Sequence, residues 1–145
     1  MKPIFPALVA VLAATSAAAA PRPALEVTGG WSRPAVAGTN GVGYLTIVNR
    51  GARPQTLVAV ETPVARKVEM HAMSMAGGVM SMAEVKAVAV PAGGKAVFGP
   101  GGYHLMLLDL KRPLKVGDRV PARLAFADGA KVAATLSVGL GRPGA

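Results

Sequence analysis

From Leu25 onward, apolar and polar residues alternate over short stretches, and no segment carries the 3.6-residue stripe of a long amphipathic helix. The alternation predicts strands at Leu25–Val27, Gly43–Asn49, Gln55–Glu61, Arg66–His71, Val79–Val90, Lys95–Phe98, Tyr103–Leu110, Arg119–Ala127 and Lys131–Val138. Between them stand Asn49-Arg50-Gly51, Pro91-Ala92-Gly93-Gly94, Gly99-Pro100-Gly101-Gly102 and Asp128-Gly129, all rich in residues that favour chain reversal. The last pair is the plainest. Leu124 and Phe126 lead into Asp128-Gly129, after which Val132, Ala134, Leu136 and Val138 alternate with Lys131, Ala133, Thr135 and Ser137, as in a hairpin with one buried face. The pattern as a whole predicts an all-β sandwich.

The first 20 residues read differently. Lys2 precedes a mostly apolar run from Ile4 to Ala14 and a small-residue run from Thr15 to Ala20, the layout of a cleavable export signal over residues 1–20. The apolar run is shorter than the roughly 20 residues a membrane-spanning helix needs, and no second such run follows, so we expect no transmembrane segment once the signal is removed. Residues 21–145 then form one domain, about 125 residues and large enough to bury its own core.

Composition narrows the chemistry. The chain has no cysteine, which excludes disulfides, thiol exchange, blue-copper electron transfer and cysteine-zinc sites. Without Lys2 there remain 15 Lys and Arg against 7 Asp and Glu, a net charge of about +8. Such a charge serves either solubility or docking to acidic proteins or anionic surfaces. Nucleic acid is not an expected partner, because the basic residues are scattered and aromatic side chains are few.

Both histidines fall in one spaced pattern with two methionines: His71, ten residues, Met82, twenty-one residues, His104, one residue, Met106. Two imidazoles and two thioethers make a soft, uncharged ligand set that suits Cu(I) better than Zn(II), Mg(II) or Ca(II). His104 and Met106 lie two apart on one strand, so they share a face while Leu105 and Leu107 take the other. The other half of the site requires His71 at the end of one strand and Met82 early in the next, with Ala72–Gly78 looping between and Gly77-Gly78 reversing the chain. Acid should weaken such a site, since both imidazoles must be neutral and an unperturbed histidine titrates near pH ~6.5.

An isolated histidine or methionine usually has a structural role, and Met70, which shares a face with Val68, reads as core filler. Filler does not account for Met70, Met73, Met75, Met80 and Met82 crowding thirteen residues around His71. Met73, Met75 and Met80 are therefore auxiliary candidates beside His71, Met82, His104 and Met106.

Three segments carry a family resemblance: Val68-Glu69-Met70-His71, Gly78-Val79-Met80-Ser81-Met82, and Pro100-Gly101-Gly102-Tyr103-His104-Leu105-Met106-Leu107. In these, and in Trp31-Ser32-Arg33 and Tyr44-Leu45-Thr46-Ile47-Val48-Asn49, the chain resembles the PCu(A)C family of periplasmic copper chaperones. The resemblance implies a cupredoxin-like Greek-key β-sandwich that holds one Cu(I) through His71, Met82, His104 and Met106. It also implies a periplasmic location and delivery of copper to the Cu(A) centre of a cytochrome oxidase copper subunit, alongside a Sco-type thiol protein.

Two other readings stay open on the residues alone. One is a resistance protein that sequesters copper without passing it on. The other is a metal-free β-sandwich interaction module whose methionines form an apolar docking patch. An enzyme is not expected, for the sequence offers no Ser-His-Asp set, no recognisable carboxylate pair and no cysteine nucleophile.

Overall fold

The computed structural model describes residues 24–143, so the export signal read over residues 1–20 lies outside the described residues. The ordered elements are all strands: β1 (Leu25–Ser32), β2 (Gly41–Asn49), β3 (Gln55–Glu61), β4 (Ala65–Ala76), β5 (Val79–Glu84), β6 (Val88–Val90), β7 (Lys95–Phe98), β8 (His104–Leu110), β9 (Arg119–Phe126) and β10 (Lys131–Val138). Their hydrogen-bonded path runs β5-β4-β8-β2-β1-β10-β9-β3-β6, with β7 attached to β2. Pairs are antiparallel except β1 with β10, which run parallel.

The turning point of this path is β2. Its residues 41–43 pair with β8 and its residues 45–48 with β7, so two strands share one edge of β2 and the sheet opens into layers there. Alternate residues of the two layers meet inside. Leu45, Ile47, Leu57, Leu105, Leu107, Val120, Leu124 and Leu136 are each no more than 1% exposed. The result is a cupredoxin-like β-sandwich of one domain, as the alternation and the family resemblance led us to expect. Asn49 is the notable polar member of the interior. Its amide donates to the carbonyls of Arg53 (2.8 Å) and Val90 (3.2 Å), and its side-chain oxygen accepts from the Gly51 amide at 3.0 Å. The turn after β2 is thereby tied to β6, and a buried amide is left with partners.

Three local expectations change. The strand expected over Leu25–Val27 continues to Ser32, because β1 pairs with β2 and then with β10. The strand expected over Val79–Val90 is two strands, broken at Val85–Ala87, since β5 pairs with β4 whereas β6 pairs with β3. The expected loop over Ala72–Gly78 is instead the continuation of β4 through Ala76, zipped to β5 in register from His71↔Glu84 to Ala76↔Val79. Its small and polar residues resemble a loop in sequence, but cross-strand hydrogen bonding satisfies the backbone and keeps it extended. Only Gly77 and Gly78 turn, with φ of 59° and 78°, the pair of positive values that a two-residue type I′ hairpin requires.

Leu105, fully buried between the flanking strand residues His104 and Met106, anchors β8 to the core. Leu105→Ala should cost about 2–5 kcal/mol of unfolding free energy by leaving a cavity. Chemical denaturation of the folded protein, read as a lowered midpoint at unchanged slope, checks this.

Candidate metal centre

The candidate site follows from the pairing of β4 with β8. Met70 stands opposite Leu105 and Val68 opposite Leu107, and these face the core; His71 stands opposite His104 and Glu69 opposite Met106 on the outer face. Met70 is 5% exposed, which bears out its reading as filler. The two imidazole rings lie with centroids 5.4 Å apart, tilted by 49°. Sequence positions thirty-three apart thus become immediate neighbours.

Each ring has one nitrogen already engaged. His71 Nε2 donates to the Glu69 carboxylate at 2.9 Å, because an ionised carboxylate can only accept. His104 Nδ1 donates to the Gly102 carbonyl at 3.3 Å, a long bond in the same sense. In the neutral rings those two bonds select opposite tautomers, in which His71 Nδ1 and His104 Nε2 carry the open lone pairs. A ring held by one nitrogen and open at the other is the usual state of a metal-ligating histidine.

The thioethers flank this pair along the strand direction. Met106 sits one rung to the core side of the hairpin, beside Glu69. On the other side, Met73 pairs with Met82, one rung toward the hairpin tip. His71, Met73, Met75, Met80, Met82 and Glu84 all share the outer face of the hairpin, since each lies an even number of positions from a paired member of the set. His104 is 5% exposed and Met106 half-buried, whereas Met82 is 59% exposed. The fold therefore brings His71, His104 and Met106 together directly and sets Met82 on the same face at the margin. His71 lies within β4, not at its end, because the strand runs on to Ala76.

Val42 pairs with Met106, so Tyr44, two residues on, lies on that same face of β2. Its ring packs on Trp31 with centroids 4.7 Å apart, and both are 7% exposed. This aromatic pair stands on the β2 side of the strand carrying His104, while the β5 side is open.

Two further residues lie near the histidines, one that the sequence did not mark as a candidate and one that it marked only as auxiliary. Glu69 is one, and the signal was its position two before His71, which places both on one face. Its carboxyl is held below the ordinary value of 4.5, first by the hydrogen bond from His71 and then by that from Lys67, whose Nζ is 3.3 Å away. Met73 is the other. It was an auxiliary candidate, and the register puts it beside His71 and opposite Met82. Among the described residues no three His, Asp or Glu side chains gather as a hard-metal site would need. The broad surface groove between Glu61, Arg66, Lys111, Pro121 and Arg123 is at the far ends of β4 and β8 and holds no soft ligand.

Comparison with known proteins places the chain. The family described as "Putative lipoprotein LpqE-like" matches residues 25–138. A protein of Leifsonia xyli subsp. xyli, named "Putative lipoprotein Lxx21020", is 29% identical over 106 residues, which are 72% of this chain and 63% of that protein. The chain therefore spans less than two thirds of that relative's length. Among solved structures, the apo PCuAC domain from PmoF1 is 27% identical with a TM-score of 0.67, covering 81% of this chain and 94% of that domain. The solution structure of Cu(I)-bound DR1885 from Deinococcus radiodurans is 32% identical with a TM-score of 0.60, covering 79% of each chain.

The Glu69 geometry has a measurable consequence. Carbon-detected NMR titration should place the Glu69 carboxyl midpoint below 4.5, and His71→Ala should return it toward 4.5 further than Lys67→Ala does, because the imidazole bond is the larger cause. The sign for stability follows: a depressed folded value adds stability above the unfolded value, and that contribution is lost as pH falls through the folded midpoint.

Proposed function

Because the chain belongs to the LpqE-like family, which is also the family of the PCu(A)C domains, we propose that it is an exported copper chaperone that carries one Cu(I) ion. The observation that carries this reading is the imidazole pair at 5.4 Å, each ring anchored by one nitrogen and free at the other. His71 Nδ1 and His104 Nε2 supply two neutral donors. Met106 supplies a thioether on one side of the pair, and Met82, with three side-chain torsions and room to move, supplies another from the hairpin side.

The set favours the reduced ion. Neither ligand type carries charge, so the complex keeps only the metal's single positive charge, and thioethers prefer a soft monovalent ion. Glu69 contributes from the second sphere by fixing the His71 tautomer and placing a carboxylate 2.9 Å from the ring. The exposed Met82 leaves one side of the ion reachable by an acceptor, which suits release as well as capture. In this reading the protein works in the periplasm and passes its copper to the Cu(A) centre of a cytochrome oxidase copper subunit, with a Sco-type thiol protein as co-worker. No bond is made or broken in a substrate, so the role is carriage and not catalysis.

Anaerobic titration of the signal-free protein with Cu(I) against a colorimetric chelator tests the reading, with X-ray absorption on the loaded form. One tightly held equivalent with mixed nitrogen and sulfur neighbours is the expected outcome. Failure to compete with the chelator would sink the proposal. Met82→Leu and Met106→Leu keep volume and should leave the fold within about 1.5 kcal/mol of wild type while weakening Cu(I) binding at least about tenfold. Transfer of the bound ion to an apo Cu(A) domain, followed by the colour of that centre, separates delivery from mere sequestration.

A further inference from the structure

The β4–β5 hairpin carries more thioethers than one Cu(I) site uses. Beyond the Met73↔Met82 rung lies a second rung, Met75↔Met80, on the same face and closer to the tip. Met75 is 69% exposed and Met80 62%, against 5% for Met70. Apolar side chains of this size are normally buried, and a strand that merely needed to stay extended would gain more from Thr or another β-branched residue here. The tip stands clear of the sandwich, since a Cβ built at Gly77 or Gly78 would meet nothing within 4 Å.

The hairpin is also rigidly in register. Ser74 and Ser81 share a hydrogen bond of 3.0 Å on the opposite face, midway between the two methionine rungs. Opposed Cβ atoms in such a pair lie about 5 Å apart, and successive rungs on one face are about 7 Å apart. A cation held between Met75 and Met80 is thus within reach of the flexible Met73 side chain as well.

Charge permits a cation there although the chain is basic. Residues 72–83 contain no ionisable group. The basic side chains nearest the hairpin base, Lys67 and Lys86, are engaged by Glu69 at 3.3 Å and Glu84 at 2.7 Å. Glu84 and Glu69 themselves lie on the methionine face, deeper along it, where they offset those two lysines.

The geometry points to a second soft-cation site at the hairpin tip, in which Met75, Met80 and Met73 hold a Cu(I) ion more weakly than the histidine centre does. Three thioethers are a sufficient soft set for a monovalent ion, and the absence of any imidazole or charged ligand makes the binding loose. Its binding rests on the hairpin geometry alone. Its use as an entry and exit port, passing copper inward by way of Met82, rests on the Cu(I) carrier reading above.

The test uses signal-free protein carrying ¹³C-methyl methionine, titrated with Ag(I) as a redox-silent stand-in for Cu(I). In wild type, the first equivalent should shift the Met82 and Met106 methyl signals, and a second, weaker equivalent those of Met75 and Met80. Met75→Leu/Met80→Leu should lose the second equivalent and keep the first. His71→Ala/His104→Ala should lose the tight equivalent and keep the Met75 and Met80 shifts. Uptake by wild type of a single equivalent that leaves the Met75 and Met80 signals unmoved, or a second equivalent that survives in Met75→Leu/Met80→Leu, would overturn the tip site. A wild type whose Met75 and Met80 respond while no histidine-dependent equivalent exists would support the tip site and refute the carrier centre instead.

Discussion

The antiparallel register between β4 and β8 is the constraint on which the rest depends. It sets Met70 against Leu105 on the core face and His71 against His104 on the other, and the two faces are locked together by the two-residue period of a strand. A slip of β8 by one position would turn His104 and Met106 into the interior and Leu105 and Leu107 out to the ligand face, away from His71. Burying the His104 imidazole while exposing Leu105 and Leu107 opposes that alternative. Hydrophobic burial therefore fixes the geometry of a polar site that contributes little to the core itself.

The two ends of β4 serve different purposes. Its first half is clamped in the sandwich by β8, while the second half extends past the start of β8 and is paired only with β5. The histidines stand where one regime passes into the other. The core side gives them a fixed tautomer through Glu69 and Gly102, and the open side gives them exposed thioethers. A carrier needs both properties, since a rigid half defines the ion's coordination and a reachable half lets it leave.

The positive charge of the chain is distributed so that it does not oppose a bound cation. Lys67 and Lys86, the basic residues closest to the hairpin, are each paired with a carboxylate, and the hairpin beyond them is neutral. Among the described residues, Arg66, Lys111 and Arg123 lie around the groove at the far ends of β4 and β8. Paired in this way, Glu69 stays ionised at neutral pH and keeps its hydrogen bond to His71.

Much of this was legible in the sequence. Alternation alone predicted the strands that build the sandwich, because one face of each is buried, and His104-Leu105-Met106 declared its two faces by the same rule. The spacing of His71, Met82, His104 and Met106 suggested a soft ligand set, and the strand pairing puts these four residues on one face. What tertiary structure decided was which elements meet. Residues 72–76 looked like a loop because most of them are small or polar and a Gly-Gly pair follows, yet pairing with β5 makes them a strand. Val79–Val90 looked like one strand, and the chain's passage from β4 to β3 as partner divides it. The tautomers of the two histidines and the nearness of Met73 were beyond the sequence for the same reason. Hydrogen bonds and register join residues far apart in the chain, and local pattern reports a residue's face but not its partner.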